Sequence, residues 1–268
     1  TQSHYELINK SIKANKSFFC EKPLCETLSE ANEIDKLMKK CNCIGMVGYI
    51  YRFSPVFETG KAIFQNVPET GVSKDIGKIT TAYFRIGGRG SHQLWKHIEK
   101  TGGGAINEMM VHMLDLCIWF FGEINDISLL SYDHLRPVRL IQGRNEAVDA
   151  EDYVLVKIIM KNGIHVFCQA DFVTPAFTQY VEVQGETGSY FASIQPDMPS
   201  YVFCENNGYN FDKGKSTINP GQVNLFERQM AEFVAALKKK RKPKKCTVHD
   251  SILLMKSIEM IRKEKDQL

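Results

Sequence analysis

Two short runs, Ser17-Phe-Phe-Cys20 and Ile44-Gly-Met-Val-Gly-Tyr49, are almost continuously apolar. Each is too short for a buried helix and too uniform for a half-solvated strand. They read as strands covered on both faces, the condition of a parallel sheet. Between them, Thr27-Leu-Ser-Glu30 has capping-box spacing and opens a helix expected to reach about Lys40. Before the first run, Tyr5, Leu7, Ile8, Ile12 and Ala14 recur at helical spacing from His4 to Asn15. Helix, strand, helix, strand is the α/β pattern, so the chain opens inside a parallel sheet with crossover helices.

After Arg52-Phe53-Ser54-Pro55 the periodicity changes. A helix is expected from Val56 to Asn66, and Gly77–Ile86 alternates as a strand before the loop Gly87-Gly-Arg-Gly90. One long apolar helix is expected from Gly104 to Phe121, closed by Gly122. Ile124–Tyr132 reads as a strand. Tyr153–Lys161 and Ile164–Phe172 flank Asn162-Gly163, the strongest short hairpin signal. Tyr180–Gln184 and Ser189–Ile194 flank Gly185-Glu-Thr-Gly188 and make a second hairpin. Helices over Asn224–Lys240 and His249–Lys265 close the chain. The expected fold class is α/β (α+β): a partial Rossmann-type parallel sheet, then a large, mostly antiparallel open sheet with helices on one face. The expected division is 1–53 for the parallel-sheet segment and 54–268 for the larger sheet domain.

Net charge is +3, which argues against nucleic acid or an anionic membrane as the main partner. The basic run Lys238–Lys245 reads as a solvated helix end and turn, where cations suit the negative end of the macrodipole. The cysteines sit in apolar settings such as Ser17-Phe-Phe-Cys20, which suits reduced thiols in a cytoplasmic protein. Cys41-Asn42-Cys43 lacks a second ligand pair, so no metal site is expected.

The chemistry concentrates in two places. Lys22 follows a buried strand at its C-terminal end, where ligands bind in open α/β sheets. Glu108 and His112 stand at i and i+4 after Gly102-Gly-Gly104, on one helix face. An imidazole suits proton abstraction near neutral pH, and an ammonium stabilises a developing alkoxide. Phe19-Cys-Glu-Lys-Pro-Leu24 resembles the glutamate-lysine-proline signature of the Gfo/Idh/MocA family, the glucose–fructose oxidoreductase and inositol dehydrogenase group. In the same order, Thr1–His4, Gly48-Tyr49 with Arg52–Pro55, Gly102–His112 and Val181–Gly188 resemble further segments of that family.

The resemblance implies NAD- or NADP-dependent oxidation or reduction at the CH–OH group of a sugar, polyol or nucleotide-sugar. It implies Lys22, His112 and Glu108 as catalytic and substrate-binding residues, and leaves open whether Lys22 or His112 takes the proton. Thr1, Ser3, His4, Glu21, Lys22, Pro23, Arg52 and Trp95 are implied on the cofactor side. The family usually has Asp where Glu108 stands, and the added methylene shifts the carboxylate by about a bond length, enough to alter substrate preference. The resemblance also implies that 1–53 is a Rossmann remnant, that 54–268 is a substrate-binding and oligomerisation domain, and that copies of the chain join as a homo-oligomer through the large sheet.

The sequence holds no G-x-G-x-x-G loop to grip a pyrophosphate. At ~30 residues per βαβ unit, roughly 80 residues of a complete dinucleotide domain are expected before Thr1. A fragment, a truncated paralogue, or a non-catalytic interaction protein that dimerises through its open sheet all accommodate that reading.

Overall fold

A computed structural model describes residues 1–90 and 92–267. The chain opens with α1 (His4–Lys13), β1 (Phe18–Cys20), α2 (Leu28–Met38) and β2 (Gly45–Val47). The two strands pair in parallel, Phe18 opposite Gly45 and Cys20 opposite Val47. The capping box of α2 is present, Thr27 accepting from Glu30 N and Glu30 reaching back to Thr27 N at 3.0 Å. Among the described residues no strand pairs with the other edge of β1.

A 3₁₀ turn over Ile50–Phe53 leads into α3 (Pro55–Ile63) and α4 (Val67–Thr70), then β3 (Val72–Ser73) and β4 (Gly77–Gly87). The expected single helix from Gly104 divides in two. Residues Ile106–Met110 form a π turn, and α5 follows over Val111–Phe121. Then come β5 (Ile124–Asp133), β6 (Val138–Ile141), β7 (Arg144–Ala147), β8 (Tyr153–Met160), β9 (His165–Asp171), β10 (Thr178–Gly185), β11 (Gly188–Ala192), β12 (Tyr201–Cys204) and β13 (Gly214–Thr217). The chain ends with α6 (Leu225–Lys238) and α7 (Asp250–Lys265).

The large sheet runs β13-β12-β11-β10-β4-β9-β8-β5, with β3 beside β4. Only β4 and β9 are parallel in it. The β6–β7 hairpin stands apart from this sheet. One face carries the core: Phe84 of β4 meets Phe120 and Phe121, and Tyr190 of β11 meets Phe64 and Phe120, with ring centroids from 5.4 to 6.3 Å. α5 is buried around nearly its whole circumference, which explains its all-round apolar sequence. The opposite face bears a row of aromatic rings. Tyr83 stacks on Phe167 at 5.4 Å, and Phe191 stacks on Tyr180 at 5.4 Å and on Tyr201 at 5.8 Å. No helix of the described residues is long and apolar enough to cross a membrane.

The C-terminal helices return to the first segment. Phe233 of α6 meets Phe19 at 5.9 Å, and Met46 of β2 bridges to Thr247. The parallel pair is thereby packed against the rest of the chain, and the site lies where they join.

Candidate active site

Lys22 leaves the C-terminal end of β1, and the Lys22–Pro23 peptide is cis. Its ammonium donates to Asn107 O at 3.2 Å and Glu108 O at 3.0 Å. The Glu108 carboxylate lies 3.6 Å away. The π turn makes the first contact possible. Val111 N bonds back to Ile106 O, so the Asn107 carbonyl, which Val111 would take in an α-helix, is left for Lys22.

A second ammonium joins the cluster. Lys96 Nζ donates to Glu108 Oε2 at 2.8 Å. Its placement is main-chain work: Gly104 N donates to Lys96 O at 3.0 Å, and a Cβ on Gly103 would strike the Lys96 carbonyl. The next residue, His97, is buried, with Nδ1 2.5 Å from Arg139 Nη1. Arg139 also lies 2.9 Å from Asp152. The β6–β7 hairpin thus holds the loop that presents Lys96.

His112 packs its ring against Tyr51, with centroids 4.8 Å apart. Burial, then the charges of Lys22 and Lys96, push its pKa well below the usual imidazole value. Neither ring nitrogen is hydrogen-bonded within the described residues. His112 is therefore a neutral imidazole at pH 7 with a lone pair to use. Burial also lowers Lys22, assisted by Lys96 and opposed by Glu108 and Glu21. A Lys22 ammonium held by two carbonyls and a carboxylate is suited to hold an oxyanion.

The other expected residues divide. His4 Nδ1 lies 2.9 Å from Pro23 O, and burial lowers its pKa. Thr1 O accepts from His4 N, and Ser3 is exposed beside it. The Glu21 carboxylate lies against Gly48. Arg52, expected on the cofactor side, is buried instead in a two-pronged pair with Asp115, at 2.9 and 2.7 Å. In this place it ties the turn after β2 to α5. Trp95 is 41% exposed and donates to Gln93 Oε1, while its neighbour Lys96 enters the cluster. The contact of Lys96 with Glu108 depends on the loop's path. No group of His, Cys, Asp and Glu among the described residues has metal-holding geometry.

The lysine thus stands at the C-terminal end of a parallel strand, where ligands bind in open α/β sheets, and faces a helix that carries an acid and a histidine. A family model described as the GFO/IDH/MocA C-terminal domain matches residues 64–191. One described as the oxidoreductase family, NAD-binding Rossmann fold, matches residues 1–49. The chain belongs to the Gfo/Idh/MocA family.

It is 25% identical to the uncharacterized oxidoreductase YrbE of Bacillus subtilis, over 76% of this chain and 60% of that protein. It is 24% identical to inositol 2-dehydrogenase of Rhizobium meliloti, over 89% of this chain and 68% of that one. A solved levoglucosan dehydrogenase in complex with NADH and L-sorbose superposes with a TM-score of 0.81 at 18% identity, covering 99% of this chain and 75% of that one. The chain thus spans about 60% of the Bacillus protein's length.

Proposed function

We propose that this chain carries the substrate-side half of an NAD(P)-linked dehydrogenase site acting on the CH–OH group of a sugar or polyol. The observation that carries the reading is the meeting of Lys22, from the strand end, with Glu108 of the π turn, beside a neutral His112. The residues present fit the reactive end of a nicotinamide nucleotide. Lys22 and Pro23 stand at the C-terminal end of a parallel strand, with His4 against Pro23 O. When bound, the nicotinamide supplies the hydride acceptor for oxidation.

A ring nitrogen of His112 takes the proton from the reacting hydroxyl. The Lys22 ammonium holds the oxygen as negative charge develops there. Glu108, oriented by Lys96, accepts from a neighbouring hydroxyl and fixes the ring of the substrate. The inositol and levoglucosan enzymes among the relatives support polyols and anhydrosugars as the first substrates to try.

Calorimetry with NAD⁺, NADH, NADP⁺ and NADPH, followed by a turnover screen on myo-inositol, levoglucosan and common aldoses, tests the reading. Binding of one cofactor pair with turnover of at least one polyol is the expected result. Absence of binding to all four overturns dehydrogenase activity for this chain.

We also propose that the aromatic face of the large sheet pairs with a second copy. Tyr83 and Phe203 are each 41% exposed there, on a face that carries two groups of stacked rings, Tyr83 on Phe167 and Phe191 between Tyr180 and Tyr201. Light scattering is expected to report a multiple of the chain mass, and Tyr83→Lys with Phe203→Lys to convert it to monomer. A wild-type monomer at micromolar concentration would contradict the pairing.

A further inference from the structure

The π turn that presents carbonyls to Lys22 is held by a residue outside the cluster. A helix start leaves N–H groups without partners, and Ala105, at the cap position, has no side chain to satisfy them. Glu151 does this from 45 positions away, its Oε1 accepting from Ile106 N at 2.9 Å. The main-chain O of Glu151 accepts from Ala105 N at 3.0 Å. Its Oε2 accepts from Tyr132 OH at 3.2 Å. The side chain is 4% exposed, and a carboxylate at this end of a helix is favoured by the macrodipole.

Gly104 is shaped around the same contact. It has φ +108°, and a Cβ there would collide with the Glu151 carboxylate. On its outer side Glu151 borders a cleft of about 410 Å³ shared with Tyr132, Asn107 and Arg262. Arg262 donates to Asn107 Oδ1 from that side, at 3.4 Å.

We infer that Glu151 is the positioning residue of the Lys22–Glu108 cluster, acting through the main chain of the π turn. The chain of contacts is short. Glu151 fixes Ala105 and Ile106; Ile106 O takes Val111 N; that leaves Asn107 O for Lys22. Without the clamp, the turn is free to relax to an α-helix, in which Asn107 O pairs with Val111 N and Glu108 O with His112 N. Lys22 then loses both carbonyl acceptors. Burial raises the Glu151 pKa, which fits a carboxyl held among main-chain groups rather than in water. The inference builds on the proposed role of Lys22, but its test needs no substrate or cofactor.

Competitive acetylation of the intact protein across pH 7–11, read by mass spectrometry, gives the reactivity of Lys22 relative to exposed lysines. Losing carbonyl acceptors favours the free amine, so Glu151→Ala is expected to raise Lys22 labelling about tenfold, the size of one lost charge-assisted hydrogen bond. Glu151→Gln keeps an oxygen for Ile106 N and is expected to restore labelling to within about twofold of wild type. If Glu151→Ala does not fold, Tyr132→Phe, which frees Oε2, is expected to show a smaller rise of the same sign. Unchanged Lys22 labelling in a folded Glu151→Ala, or in Tyr132→Phe if that is the variant measured, overturns the inference. Where turnover exists, kcat falls in Glu151→Ala with KM little changed. A protein without turnover would remove the dehydrogenase reading and leave the labelling result standing.

Discussion

Lys22→Met is expected to lower kcat by about 10²–10⁴-fold while leaving the melting temperature within a few degrees of wild type. Methionine keeps an unbranched, flexible stem that fills the same channel. What disappears is the charge proposed to hold the alkoxide. Glu108 is not orphaned, because Lys96 remains on the same oxygen at 2.8 Å. The fold therefore loses little, while the transition state loses its nearest cation.

On the proposed mechanism His112 sets the pH behaviour of the same reaction. Its pKa lies well below the usual imidazole value, chiefly through burial. The base form then persists below pH 6.5, and the acid limb of kcat/KM is expected on the low side of that value. Steady-state rates at saturating cofactor, alongside thermal melts, check both statements. A rate within tenfold of wild type in Lys22→Met would remove Lys22 from the chemistry.

Much of this site was legible because its parts are local. Glu21-Lys22-Pro23 follows a strand, and the glycine run precedes a helix; both are short motifs with strong neighbours. The Asn162-Gly163 hairpin was legible for the same reason, since turn chemistry is written in two residues. The π turn was not. Its origin lies in contacts from Glu151, 45 positions away, and no periodicity in 104–121 records them.

The β6–β7 hairpin was missed because its strands are four residues each, and Arg144-Asn-Glu-Ala147 has no apolar alternation. It matters to the site all the same, through Arg139 and His97. Arg52 is placed by a contact that the sequence does not display. The family resemblance implies a cofactor-side role for it, and sequence alone does not reveal that Asp115, 63 positions on, waits beneath it.

That pair makes Arg52→Ala the substitution with the largest expected effect on stability, about 3–5 kcal/mol. Arg52 donates to both Asp115 oxygens, lies 3.4 Å from Asp250, and its carbonyl accepts from Lys245 at 2.6 Å. It therefore joins the 3₁₀ turn after β2 to α5 and α7. Its guanidinium also lies over the rings of Tyr49 and Trp119, at 5.7 and 5.6 Å. Removing it strands a carboxylate in the core.

Burial already raises the Asp115 pKa to about 6, against the pull of Arg52. The folded state then holds a proton that the unfolded state releases near pH 4, so this group costs stability as pH rises from about 4 to 6. Without Arg52 the folded pKa rises further. The cost of Arg52→Ala is thus expected to be greatest at neutral pH and to shrink toward pH 5, as urea melts at several pH values will report. A paired replacement, Arg52→Met with Asp115→Leu, removes both charges and is expected to recover most of the loss. If the double variant is as unstable as Arg52→Ala, packing rather than the stranded charge is the cause. The carboxylate would then have little part in joining the Rossmann segment to the sheet.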